Sequence, residues 1–219
     1  MNIIFFFKSD MAMIWSNLTI LFFLLSFQTL ILLNGQELAG GRGTIVPAPN
    51  FNPQADAEIL RSALKGPGTK DKRVIDVIAG RNNDQRQQIR EAYKQQYKKL
   101  LSDRDLIKDI EGDTTGNYQK LLVALLTPSA QYNAKLGFKV TGNPATYFAE
   151  RLGKDLKGLG TKDNNLIEII TSRSEIDLED IKSEYNKLFK KSLEAAVRGD
   201  VTGEYQDLLV AVIKGNRKS

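Results

Sequence analysis

The sequence predicts an all-α protein of two five-helix repeats preceded by a hydrophobic segment, and three observations predict it. Apolar residues recur at helical spacing, as Ala57, Leu60, Ala63 and Leu64 do after Asn52-Pro53. That helix-start signal, an asparagine cap with proline at the first helical position, returns at Asn143-Pro144. Register links the two copies: Gly66 to Gly158, Arg81 to Arg173, Ile89 to Ile181 and Tyr93 to Tyr185 are each 92 positions apart. Further on, Asp113 to Asp200, Tyr118 to Tyr205 and Leu122 to Leu209 are each 87 apart, so the first copy holds 92 − 87 = 5 extra residues. We expect them within Leu100 to Asp105. A shared order of motifs over roughly 70 residues marks an internal repeat.

In chain order, Met11 to Leu33 carries no charged residue and, at 23 residues, is long enough to span a bilayer core of about 30 Å. Three readings of residues 1–34 stand: a membrane anchor, a signal peptide, and a misjoined gene start absent from the working protein. Lys8 is offset by Asp10, and the small-x-small pattern near Asn34-Gly35 is poor, both of which weigh against a signal peptide. Residues 35–52, with Gly40-Gly41-Arg42-Gly43 and Pro47-Ala48-Pro49, read as a flexible linker or arm.

The first repeat, residues 53–128, reads as a helix that opens at Pro53, followed by helices at about Asp71 to Ala79, Asn82 to about Lys99, about Asp105 to Glu111 and about Thr115 to Leu126. Asn82 with Gln85 three residues later is a capping signal, and Pro128 stops the last helix. After a linker at 129–143, the second repeat, 144–214, reads as helices at about 144–157, 163–171, 175–190, 192–198 and 203–214, with a basic tail at 215–219. Leu121, Leu122, Leu125, Leu208, Leu209 and Val212 are expected in the core.

Composition narrows the chemistry. The 219 residues are 42% hydrophobic and 26% charged, the balance of a folded protein with a sizeable core. There is no cysteine and no histidine, which excludes disulfides, thiol catalysis, imidazole bases and most zinc sites. Hard-cation chemistry through oxygen is left. The net charge of +5 is consistent with acidic partners, and equally with a mildly basic solvated surface.

One short stretch occurs twice: Leu64-Lys65-Gly66-Pro67-Gly68-Thr69 and Leu156-Lys157-Gly158-Leu159-Gly160-Thr161. Two glycines spaced by one residue let the backbone turn tightly and aim successive carbonyls into one space. Each copy is followed by an acid in a matching context, Gly-Asp113-Thr-Thr-Gly-Asn-Tyr-Gln and Gly-Asp200-Val-Thr-Gly-Glu-Tyr-Gln. Carbonyls with one carboxylate make a hard-oxygen site suited to Ca²⁺, with a place or two for water or phosphate. A glycine-rich helix connector is the structural alternative. A dinucleotide-type phosphate loop is weak, because no strand precedes either copy.

These residues resemble annexin repeats. The marks are the two K-G-x-G-T loops, Gly80-Arg81-Asn82-Asn83-Asp84-Gln85-Arg86-Gln87, Thr171-Ser172-Arg173-Ser174 in the same place of the second copy, and both G-D-x-T-G-x-Y-Q segments. The resemblance covers about residues 45 to 216 and implies five-helix repeats wound as right-handed superhelices, with calcium loops on a convex, membrane-facing surface. Family members usually have four repeats; here there are two. The first copy, with Asp84-Gln85-Arg86-Gln87 and Leu126-Thr127-Pro128-Ser129, is similar to a family first repeat. The second, with Tyr147-Phe148-Ala149-Glu150-Arg151-Leu152 and Ser172-Arg173-Ser174-Glu175-Ile176-Asp177-Leu178, is similar to a fourth, and the join falls near Leu136 to Gly142.

By motif match, the resemblance implies a first calcium site from the carbonyls of Leu64, Gly66 and Gly68 with the carboxylate of Asp113. The second uses those of Leu156, Gly158 and Gly160 with Asp200. The spacing from Gly160 to Asp200 fits the family, whereas Gly68 to Asp113 is five residues longer, and Pro67 stiffens the first loop. Lys65 and Lys157 beside the loops are candidates for lipid phosphate, with solvated lysine the plain alternative, and Leu159 for insertion among headgroups. Arg81 and Arg173 are expected to tie loops within each repeat.

The leading functional reading is calcium-dependent binding to acidic phospholipid membranes without catalysis, at the cytoplasmic face of membranes, with no nucleic acid expected. A real N-terminal segment would make the protein membrane-anchored or secreted. The alternative is a calcium-independent helical interaction protein held at a membrane by that segment. Two repeats without their usual neighbours are also expected to expose apolar surface and self-associate as a homo-oligomer.

Overall fold

The asparagine–proline pairs do open the first helix of each repeat. In the computed structural model, which describes residues 41–65, 70–97, 105–129, 143–156 and 162–217, the Asn52 side chain accepts from the N–H groups of Gln54 and Ala55, and that of Asn143 from Ala145. Ten helices follow among the described residues: α1 (Pro53–Leu64), α2 (Asp71–Ala79), α3 (Asn83–Tyr97), α4 (Leu106–Asp113), α5 (Gly116–Leu126), α6 (Pro144–Asp155), α7 (Asp163–Arg173), α8 (Leu178–Phe189), α9 (Leu193–Asp200) and α10 (Gly203–Lys214). The class is all-α as expected. Asn82 and Gln85 form the full capping box, since the Gln85 N–H donates to Asn82 Oδ1 at 3.1 Å and the Asn82 N–H to Gln85 Oε1 at 3.3 Å. None of the described helices is long and apolar enough to cross a membrane, and the hydrophobic segment at 1–34 lies outside the described residues.

Three boundaries differ from expectation for identifiable reasons. The third helix of the second repeat starts at Leu178 rather than near residue 175. The Arg173 carbonyl receives the N–H groups of both Ile176 and Asp177, so the chain makes a tight turn first. Helices α4 and α9 run on through Gly112 and Gly199 to finish at the acids, because the N–H groups of Thr114 and Val201 still donate to Ile110 and Val197. Helix bounds also locate the extra residues. Eight positions, 98–105, separate α3 from α4, whereas three, 190–192, separate α8 from α9.

Within each repeat the helices pack on one another, α1 on α2 and α3, α6 on α7 and α8, α4 on α5 and α9 on α10. Between repeats, α10 lies on α2 and α5, and α5 on α7. Equivalent helices thus exchange places across the contact, and the residues expected in the core, Leu121, Leu122, Leu125, Leu208, Leu209 and Val212, are all fully buried. A polar bond crosses the same contact. Glu175 accepts from the Asn83 N–H at 2.7 Å and lies 3.4 Å from the guanidinium of buried Arg86, which also donates to Ile78 and Leu125 carbonyls. Desolvation pushes the Arg86 pKa down to about 10, and burial raises that of Glu175.

The segment expected as a flexible linker is, from residue 41 onward, a strap. Ile45 N–H donates to Ser174 O, Asn216 and Arg217 both donate to Thr44 O, and Thr44 Oγ1 donates to Val212 O at 2.8 Å. Ala48 exchanges hydrogen bonds with the Gln85 amide, and Asn216 with Val46, so the strap and the start of the expected basic tail bind both repeats. Gly43 permits this, because a Cβ there would meet the Glu175 backbone at 2.5 Å.

The paired arginines serve each repeat internally. Arg81 grips Asp56 on α1 at 2.6 Å, whereas Arg173 grips Asp177 at 2.6 Å and lies 4.8 Å from the Phe148 ring, which occupies the position equivalent to Asp56.

Candidate functional site

The two G-D-x-T-G-x-Y-Q segments build one corner twice. Each acid is the last residue of a helix, Asp113 of α4 and Asp200 of α9, where unpaired carbonyls and the helix dipole already concentrate negative potential. The glycine that follows sits at positive φ, +66° for Gly116 and +70° for Gly203, a turn that other residues enter only with strain. Glutamine then locks the corner: Gln119 Nε2 donates to Glu111 O at 2.9 Å and to Thr114 O, and Gln206 Nε2 donates to Val201 O and to Arg198 O at 3.3 Å.

Tyrosine supplies the link to the loops. The Tyr118 hydroxyl is buried and has no hydrogen-bond partner among the described residues; burial first, and then the charge of Asp71 at the start of α2 just past the first loop, raises its pKa. Tyr205 repeats this with Asp163 at the start of α7, past the second loop, and Asp200 adds to its shift. Helix α5 packs on α2 and α10 on α7, so in each repeat the helix after the acid corner lies against the helix after the glycine loop. The helices that follow the two corners, α5 and α10, pack on each other.

Of the site residues expected from the sequence, Leu64, Lys65, Asp113, Leu156 and Asp200 are described. Leu64 closes α1 and Leu156 caps α6, both buried, so each loop leaves from a helix C-terminus. Lys65 and Asp113 are exposed, and Asp200 is half-buried. Gly66 and Gly68 of the first loop, and Lys157, Gly158, Leu159 and Gly160 of the second, lie outside the described residues. Among the described residues no group of three or more Asp or Glu side chains converges, so side chains alone make no metal cage there. The donors present are hard oxygens: one carboxylate at each corner and carbonyls at the two helix ends, a set suited to Ca²⁺ and not to a soft metal.

Reading the sequence missed two features of these corners. The Tyr118–Asp71 and Tyr205–Asp163 pairs were legible in principle, because both partners recur at repeat spacing. The glutamine caps recur in the same way.

A family model described as Annexin matches residues 55–125 and 147–212, each stretch falling on five of the helices. Annexin A7 of Macaca fascicularis is 40% identical over 178 residues, 81% of this chain and 32% of its own length. Annexin A5 of Homo sapiens is 39% identical over 176 residues, 80% of this chain and 49% of its own length. The chain spans half or less of the length of these curated relatives. Among solved structures, chicken annexin V superposes with a TM-score of 0.71 at 22% identity, covering 80% of this chain and 99% of that one. A calcium-bound annexin (Sm)1 superposes with a TM-score of 0.58 at 20% identity, covering 81% and 94%. These two likenesses speak for the fold. Together with the doubled family match and relatives near 40% identity over four fifths of the sequence, they lead to one conclusion: the chain belongs to the annexin family.

Proposed function

We propose that this chain binds acidic phospholipid surfaces through calcium and catalyses no reaction. Main-chain oxygens of Leu64, Gly66 and Gly68 with Asp113 hold one ion; those of Leu156, Gly158 and Gly160 with Asp200 hold the other. The observation that carries the reading is that, in each repeat, the helix after the acid corner packs on the helix after the glycine loop, α5 on α2 and α10 on α7. One carboxylate per ion gives weak intrinsic affinity, on the order of 10⁻⁴ to 10⁻³ M. Lipid phosphate entering the coordination shell raises the apparent affinity, because a ligand that binds only the loaded state shifts the equilibrium. Lys65 and Lys157 add attraction to phosphate, Leu159 enters the headgroup layer, and two loops add avidity.

The protein then acts as a peripheral one, at the cytoplasmic face of membranes. Sedimentation with phosphatidylserine vesicles tests this: pelleting in millimolar calcium and release by chelator are expected. Equal pelleting in both conditions rejects the calcium reading and favours attachment through residues 1–34. Homo-oligomerisation has weaker support, because the large hydrophobic side chains exposed among the described residues are Ile59 and Leu188, which lie on α1 and α8. Light scattering at several concentrations decides it.

A further inference from the structure

Asp155, the last residue of α6, immediately precedes the second loop and is 3% exposed. Its Oδ1 accepts from Asn165 Nδ2 at 3.4 Å and lies 3.9 Å from Lys162 Nζ. Lys162 caps α7 and Asn165 belongs to its first turn, so both stand on the far side of the loop. One side chain therefore joins the end of α6 to the start of α7. The other carboxylate oxygen, Oδ2, is buried and has no hydrogen-bond partner among the described residues.

The first repeat closes the equivalent base without a carboxylate. Ala63 occupies the matching position, and its carbonyl accepts from the Lys70 N–H at 3.1 Å. A helix end of this kind thus tolerates alanine, and a buried carboxylate with an idle oxygen costs free energy that alanine avoids. Its presence in one repeat alone points to a local duty at the second loop.

We propose that Asp155 is a positioning residue for the second calcium loop, an inference that rests on the calcium reading above. Tying the residue before the loop to two residues after it lowers the entropy lost when the loop's oxygens are ordered around an ion. The carboxylate also adds negative charge beside a site whose assigned acid is Asp200, and its burial strengthens that field. Lys162 offsets part of it, but its side chain is 70% exposed and well solvated. The first loop has neither aid at Ala63, so the second site is the tighter of the two.

The test uses the full chain with Asp113→Ala to silence the first site, and reads the calcium needed for half-maximal pelleting with phosphatidylserine vesicles. Adding Asp155→Ala is expected to raise that concentration about tenfold, the size of effect that residues supporting a metal ligand carry. Thermal unfolding in chelator is expected to be unchanged or improved, a result that a merely structural residue would not give. The converse variant, Ala63→Asp in an Asp200→Ala background, is expected to lower the calcium requirement of the first site. An unchanged calcium requirement in Asp155→Ala, or a fall in chelator stability that accounts for its change, overturns the proposal. If the Asp113→Ala parent shows no response to calcium, the functional reading fails separately. The clasp is then judged by amide exchange in chelator, where Asp155→Ala must speed exchange at Lys162 to Leu166; unchanged exchange there overturns it too.

Discussion

Replacing Arg86 with leucine, the residue that the second repeat carries at the matching position as Leu178, removes the cation at the contact between repeats. Arg86 is 1% exposed and donates to Ile78 O at 2.8 Å, to Leu125 O at 3.4 Å and to Glu175 Oε1 at 3.4 Å. Breaking a buried ion pair from one side typically costs about 3–5 kcal/mol. Glu175 softens the loss, because its side chain is 29% exposed and it keeps the Asn83 N–H at 2.7 Å. Arg86 also suffers desolvation, which its removal relieves. The expected loss is therefore about 2–3 kcal/mol, below the usual range for a buried pair. Urea unfolding of Arg86→Leu, Glu175→Gln and the double variant measures the coupling, expected to be about 1 kcal/mol or more. Effects of the two that add to within about 0.5 kcal/mol would refute the reasoning.

The pH dependence has a definite sign. Burial raises the Glu175 pKa above its ordinary value of 4.5, while Arg86 lowers it in part. A folded-state carboxyl with a raised pKa contributes stability that is fully present below the ordinary value and is lost as pH rises through the raised one. Arg86→Leu raises that pKa further, so its stability falls more steeply with pH in this window, and its deficit against the parent shrinks on acidification. A deficit that grows as pH falls would contradict this.

Two further variants follow from single residues. Asp200→Ala is expected to weaken calcium-dependent vesicle binding more than Asp113→Ala, since the second loop has the shorter spacing to its acid and the Asp155 clasp; calorimetric titration of both gives the order. Lys190 sits at φ +54° where α8 ends, so Lys190→Gly is expected to stabilise by about 1 kcal/mol and raise the melting temperature by about 2–4 °C in a scanning experiment.

Much of the helix plan was readable because its signals are local. Asn52-Pro53, Asn143-Pro144 and the Asn82–Gln85 box act within one turn, and the structure has them as caps. Signals that act across the chain were harder. The turn before Leu178 looked helical, because the hydrogen bonds gathered at the Arg173 carbonyl and the Arg173–Asp177 grip have no period in sequence. The strap at residues 41–48 looked like linker, because its glycines and main-chain groups meet partners at Glu175, Ser174, Asn216 and Gln85, which lie far along the chain. At the candidate site, Asp113 and Asp200 stood out by repetition. Asp155 did not, because its role is visible from Asn165, Lys162 and an idle buried oxygen.

The central claim is that each acid corner and its glycine loop hold one calcium ion. Anomalous diffraction from crystals of the protein grown in calcium tests it most directly. The account predicts one peak against the Asp113 carboxylate and one against Asp200, each at about 2.3–2.6 Å from carboxylate oxygen, with carbonyls of the adjoining loop completing the shell. Calcium bound at other carboxylates, with both corners empty at saturating calcium, would contradict it.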